Sequence, residues 1–364
     1  MSDRGLKQPE PMGDAARLLL AAARERFSVA ATDILLPEQS RLTEWQRLTA
    51  SALLLRLVRS IEDDLRARLA GQFRDNEAIY AALGATRLEI ALPLLERAQV
   101  LRDAEIGTIL VRRVEEHRFW KEHARADEYL SELIRDDDDG IAAEAMTLLI
   151  ARSRRFDRFQ EPVMGHTDLP AELQHRLVWM IAAALRQYLV QQHKLPSGQA
   201  DAAISAAAGD VIAGHDESHG LEATAMRLAR RLHQAGRLEG TDLSRILEEG
   251  QLPLFVAGLA VRCGLDYASA WEILSDPHGR GSALMLRSGN IPRDSAAWIL
   301  LLLNSRGKLF SGAEGDAAAA QLDLFDGTGQ PAAEDVLHLW RVDPGYRAAI
   351  TRLSTRSRSG SEAA

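Results

Sequence analysis

The chain has 364 residues, 46% of them hydrophobic, which is enough to bury a sizeable core and fits two domains better than one. A formal net charge of −8 at pH 7 excludes a surface built throughout to neutralise phosphates, so direct sequence-specific nucleic-acid binding is not expected. The lone cysteine, Cys263, cannot form an internal disulfide and has no metal-ligand partner near it in sequence, which points to a reducing compartment.

Residues 1–13 are polar and proline-bearing and are expected to be disordered. The apolar stretch that follows is broken by Arg17, Arg24 and Arg26, unlike a secretory h-region. The longest apolar run, Ala296 to Leu303, is far short of the roughly 20 residues that span a bilayer and reads as a buried helix. These features predict a soluble, cytoplasmic protein without membrane contact. From Glu44 to Leu69, apolar residues at Leu48, Leu55, Val58, Leu65 and Leu69 recur at helical spacing and predict one long amphipathic helix. Alternating β-branched and aromatic runs are essentially missing, so the fold class is all-α.

Beyond it the chain reads as short helices punctuated by Asp75-Asn76, Gly84 to Thr86, Asp103 and the acidic run Asp136 to Asp139. Polar residues followed by Ile90-Ala91 and again by Ile141-Ala142 form a weak internal repeat of the HEAT-like, α-solenoid kind, in which stacked helices bury a continuous core. Looser composition between Pro162 and Pro170 predicts the junction between an N-terminal helical domain, 14–165, and a C-terminal one, 166–310. In the second half Gly236, Gly264 and Gly289 each follow an amphipathic helix and precede an apolar residue, as left-handed C-caps do. Thr241-Asp242, Asp266 and Asp294 sit at or near the next helix starts. Residues 311–331, rich in Gly, Ala and Asp, are expected to project as a mobile acidic insertion, followed by terminal helices over 332–352 and a disordered tail over 353–364.

A helix ending Gly236-Arg237-Leu238, a Glu-Gly-Gln-Leu step before Phe255, Leu259-Ala260 followed by Gly264-Leu265, and the Ile90-Ala91-Leu92-Pro93-Leu94-Leu95 segment before Val100-Leu101 carry a family likeness. In these features the chain resembles the bacterial family DUF2336 over most of residues 40 to 305. The resemblance implies a helical, HEAT-like fold and brings no catalytic residues with it.

Several constellations invite chemistry. His215 and His219, four apart around Asp216 and Glu217, could chelate zinc on a helix, but the zincin pattern needs Glu directly after the first His, and Gly214 and Gly220 interrupt the helix. Reading His215-Asp216 as the His-Asp pair of helical phosphohydrolases leaves only arbitrary further ligands, His193 and Asp242. The pair is therefore expected to be structural or solvent-exposed. Asp136 to Asp139 read as helix-capping acids, and Arg152, Arg154, Arg155 and Arg158, beside Phe156 and Phe159, as a solvated basic face. No catalytic residue, cofactor or metal is expected.

The sharpest local signal is Gln321-Leu322-Asp323-Leu324-Phe325, which resembles at all five positions the pentapeptide by which bacterial replication and repair proteins bind the DNA polymerase sliding clamp. An extended segment presents its leucines and phenylalanine to an apolar pocket while the glutamine amide fixes the register. The alternative is a helix over Ala317 to Phe325 whose Leu322 and Phe325 pack on the protein's own core. The function expected is that of a non-catalytic helical-repeat adaptor or regulatory protein acting through protein partners, with the sliding clamp among them. A module binding a nucleotide signal is the alternative, and a hydrolase centred on His215 and His219 comes third.

Overall fold

Helix α1 (Glu44–Gln72) starts at a reciprocal cap: the Thr43 hydroxyl accepts from the Gln46 amide at 3.2 Å, and the Gln46 side chain accepts from the Thr43 amide. The computed structural model describes residues 42–350, apart from 86–87, 99–100, 102, 124–127, 277–278, 306–316, 344 and 348. The expected disordered ends at 1–13 and 353–364, and the first residues of the expected insertion, lie outside the described residues.

All elements are helical apart from one isolated antiparallel bridge, Phe156 to Pro162, among the described residues. After α1 come α2 (Glu77–Gly84), α3 (Ala91–Ala98), α4 (Ala104–His123), α5 (Glu128–Leu133), α6 (Asp139–Ser153), α7 (Ala171–Gln192), α8 (Ser197–Ala213) and α9 (Leu221–Gln234). They are followed by α10 (Gly240–Glu248), α11 (Leu252–Cys263), α12 (Tyr267–Leu274), α13 (Arg280–Ser288), α14 (Arg293–Ser305), α15 (Ala317–Gly327) and α16 (Gln330–Leu337). No single helix among the described residues is long and apolar enough to cross a membrane.

Several starts follow from short polar side chains that accept from otherwise orphaned amides. Asn76 caps α2, Asp103 caps α4, Asp138 caps α6 and Asp266 caps α12. The acidic run at 136–139 is thus spent on helix geometry, with Asp136 accepting from the Asp138 amide.

The described residues form two compact units, one running to Leu228 apart from Glu122 and His123, the other comprising those two residues and the chain from Ala229. In the first, α1 is the spine: Leu53, Leu57, Ile61, Leu65 and Leu69 are fully buried, and α2, α3, α7 and α8 pack around it. Leu177, Ile181 and Leu185 of α7 and Ile204 and Ala208 of α8 belong to the same core. The stretch 162–170 is therefore inside this unit and is not the junction expected from its composition. Met164 and Leu169 are buried, and the chain turns back into the core through a short 3-10 turn at His166–Asp168. The division falls instead within α9.

In the second unit α13 is central, packing on α11, α12, α14, α15 and α16. Helix α11 is buried on all sides, from Leu252 to Ala260 almost without interruption, as its uniformly apolar sequence requires. Gly236 and Gly264 are left-handed, at φ 68° and 65°, and the Arg237 and Leu265 amides bond back to Leu232 and Ala260 carbonyls in Schellman closures. Gly289 departs from expectation with φ −70°; Asn290, at φ 52°, takes the left-handed position, and the Ile291 amide closes the motif on Leu286. The run Ala296 to Leu303 is only half buried: Ile299, Leu300 and Leu303 face inward, whereas Trp298 and Leu301 are exposed.

The expected projecting insertion is a packed element over its described part. Helix α15 lies against α13 and α14, and α16 packs on α13, so residues 317–331 belong to the body of the unit.

Candidate functional site

Helix α1 carries two apolar stripes, and only one of them enters the core. Trp45, Leu48, Ala52 and Leu55, at spacings of three, four and three, share the outward face, with Trp45 43%, Leu48 64% and Leu55 40% exposed. The inward face of the same turns is already partnered, through Leu53 and Leu57 in the core and Gln46 bonded to Glu115 of α4. The stripe borders a groove formed by Leu48, Ala52, Arg56, Glu161 and Pro162. Arg56 lines its edge, 3.6 Å from Asp157 and donating to the Pro162 carbonyl at 3.3 Å. Leu48 and Leu55, which share helical spacing with the buried Val58, Leu65 and Leu69, are exposed. The signal for that exposure is the second apolar row, which makes the helix wider in hydrophobic surface than one face can use.

Deeper in the same unit lies a buried ionic cluster. Arg155, read from sequence as part of a solvated basic face, is only 1% exposed. Its guanidinium lies 3.3 Å from Asp168, 3.7 Å from Glu222 and 3.9 Å from Glu116. Arg113 reaches Glu116 at 3.5 Å and donates to the Val163 and Arg155 carbonyls, while Arg112 pairs with Glu222. Three guanidiniums thus meet three carboxylates drawn from α4, the loop after α6, the turn before α7 and the first turn of α9.

Burial and the neighbouring Arg155 bring Arg113 down to about 10, which still leaves it charged at neutral pH. For Glu222, burial alone would raise the carboxyl, but Arg112 and Arg155 outweigh it and hold it below its ordinary value. Charges within the cluster balance one for one, and no nucleophile stands among these six side chains. The arrangement ties the four segments together.

Beside it His117 is buried, with no hydrogen-bond partner for either ring nitrogen among the described residues. Its ring centroid lies 6.1 Å from that of Trp120 and 5.8 Å from that of Phe156. Burial, reinforced by Arg113, lowers its pKa to about 4.

His215 and His219 are not on one helical face. Residues Glu217–His219 form a single 3-10 turn capped by Asp216, which accepts from the Ser218 amide, and His219 stands 71% exposed by side chain with Asp216 at 3.4 Å. No group of three or more potential metal-ligating side chains is assembled among the described residues.

The Gln321 to Phe325 pentapeptide is the second turn of α15 and not an extended segment. Gln321 is 3% and Phe325 1% exposed, Leu322 and Leu324 are half-buried, and Asp323 faces solvent. Helical spacing puts the glutamine and the phenylalanine on one face, which the core takes. The Asn304 amide donates to Gln321 Oε1 at 2.9 Å, and the Arg287 guanidinium lies 5.2 Å from the Phe325 ring centroid. Gly279 makes room for this: a β-carbon there would sit 1.8 Å from Gln321 Nε2. The inward pair is Gln321 and Phe325, one turn apart, in place of the Leu322 and Phe325 expected for a helix.

Capped short helices, an outward apolar stripe on α1 and a charge-balanced buried cluster are thus the features of an all-α protein among the described residues. The chain belongs to DUF2336, described as an uncharacterised protein conserved in bacteria, whose family model matches residues 123–338, more than half of its length. The matched stretch starts later and ends later than the resemblance read from sequence, leaving α1 to α3 and all of α4 but His123 outside it. Neither a curated relative nor a solved structure matches the chain.

Proposed function

We propose that this protein is a non-catalytic helical adaptor that works by binding other proteins, and that the outward face of α1 is a surface it uses. The observation that carries this reading is the row Trp45, Leu48, Ala52 and Leu55, exposed on a helix whose opposite face already closes the core. Single exposed hydrophobes are ordinary, but a continuous apolar row bordered by charged residues is costly in water unless something covers it. Trp45, at one end of the row, is of a residue type enriched in interface hot spots. Recruitment to a sliding clamp through Gln321 to Phe325 would be a second binding mode, open only when α15 leaves its seat.

The test is quantitative capture from the native cell with the full chain and with a Leu48→Asp variant of unchanged thermal stability. Specific partners present with the first and absent with the second support the reading. Identical partner sets, or none with either, overturn it.

A further inference from the structure

We infer that the outward face of α1 is occupied in the resting protein by the chain's own preceding segment, residues 27–34, folded back as an antiparallel helix that a partner must displace. The inference rests on the reading of that face as a binding surface and adds its regulation. The chain runs into α1 from residues 1–41, which lie outside the described residues, and Trp45, the first of the exposed row, stands in the first turn of that helix.

Phe27, Ala31 and Ile34 stand four and three apart, and Ala52, Leu48 and Trp45 stand four and three apart in the reverse direction. On antiparallel helices these rows face each other position by position, Phe27 against Ala52, Ala31 against Leu48 and Ile34 against Trp45. Large meets small at two of the three positions, so the helices can approach closely. Leu36-Pro37 supplies the break a hairpin needs, because the residue before a proline is disfavoured in a helix. Residues 37–43 are then the connection, which ends on the Thr43 cap of α1. The next position on the segment's face is Arg24, so the apolar match stops there and Leu55 stays open to a partner.

Charge does not choose the occupant, because at the edge of the groove Arg56 and Arg158 balance Asp157 and Glu161. The shortness of the row and the tether choose it. Three side chains bury too little to hold a free protein, since stable interfaces take ~800 Å² per partner. A segment joined by a short link needs far less, because the link sets an effective concentration on the order of millimolar. Against an intrinsic contact of similar strength, the segment covers the face in about half of the molecules or more and weakens a partner's apparent affinity about two-fold or more.

The experiment uses the purified full-length protein at about 1 μM, where the tethered contact far outcompetes contacts between molecules. Leu48→Cys is combined in turn with Ala31→Cys and with Val29→Cys, whose position is equally within reach along the chain but on the opposite side of the segment's helix. Each double variant is oxidised with diamide. Cys263, 2% exposed and with its thiol pushed up to about 12 by burial, does not compete. The Ala31 pair should form its intramolecular disulfide about tenfold faster than the Val29 pair, because side chains that point apart cannot be bridged. Adding Phe27→Asp should bring the two rates together.

Equal rates without Phe27→Asp would show a segment that does not settle on the face, and would overturn the inference while leaving the adaptor reading to the Leu48→Asp capture. A fast Ala31 pair together with partner sets unchanged by Leu48→Asp would keep the segment as the occupant of the face and sink the adaptor reading instead.

Discussion

Glu62 and Arg66, one turn apart and buried on α1, divide between them the two ends of the connection from α2 to α3. Arg66 donates to the carbonyls of Ala82, Leu83 and Ala85 at 3.0, 2.9 and 2.5 Å, and to Leu88 at 2.7 Å. Glu62 accepts from the amides of Ile90 and Ala91 at 3.1 and 2.9 Å, and the two side chains meet at 3.3 Å. The orphaned carbonyls that close one helix and the orphaned amides that open the next are satisfied by a single pair on a third helix. Arg66→Met leaves Glu62 buried without its counter-charge and should destabilise the protein by about 3–5 kcal/mol. Glu62→Gln keeps an acceptor and should cost less, about 1–3 kcal/mol. Urea unfolding measures both, and an Arg66→Met midpoint equal to wild type would show that the clamp contributes nothing.

The same pair marks how far the sequence can be read. At Asp138, which accepts from Gly140 and Ile141, the cap is local and the residue type announces it. At Ile90-Ala91 the equivalent acceptor comes from Glu62, 28 and 29 residues away, and nothing local betrays it. Helix class and those helix starts that carry a local cap are therefore legible in the sequence, because caps and periodicity act over one turn. Arg155 is not, since its burial depends on Asp168 and Glu222 arriving from distant segments. Leu48 is the converse case: periodicity says that a residue shares a face, and only packing says which face is covered.

His117 should make the protein acid-sensitive. Unfolded, the imidazole takes its proton near 6.5, whereas folded it does so only near 4, with burial, Arg113 and Lys121 opposing the charge and Glu161 and Asp157 favouring it. Between those values the unfolded chain binds more protons, so this contribution is intact above pH 6.5 and is lost as the pH falls toward 4. The full difference amounts to roughly 3 kcal/mol. Comparing urea midpoints at pH 7.5 and pH 5 for wild type and His117→Phe isolates it. The variant should lose less stability on acidification, and parallel losses would refute the assignment.

The helix ends of the second unit predict an ordering among three glycines. Gly236→Ala and Gly264→Ala place a β-carbon at positive φ and should each cost about 1 kcal/mol. Gly289→Ala, at φ −70°, should cost less than either, because the left-handed residue there is Asn290. Asn290→Gly should be neutral or stabilising by a few tenths of a kcal/mol. Thermal melts of the four variants decide the matter. Gly289 proving the most sensitive would mean that the cap is at 289 after all.

The seat of α15 governs any use of its pentapeptide. A clamp pocket of the kind the motif fits needs the glutamine and the phenylalanine, and these are the two side chains that α15 buries against its own unit. Binding therefore requires α15 to undock, giving up the Asn304 contact and the enclosure of Phe325. If undocking costs about 3 kcal/mol, about 1% of molecules are competent, and the apparent affinity falls roughly 100-fold below that of a free peptide. A synthetic peptide of residues 317–331 should accordingly bind an immobilised bacterial clamp near micromolar strength, and the intact protein far more weakly. Asn304→Leu, which removes the partner of Gln321 and leaves its amide buried, should narrow the gap by loosening α15. Equal affinities for peptide and protein would mean that α15 is not held as described, and a peptide that fails to bind would show that the five-residue match is coincidental.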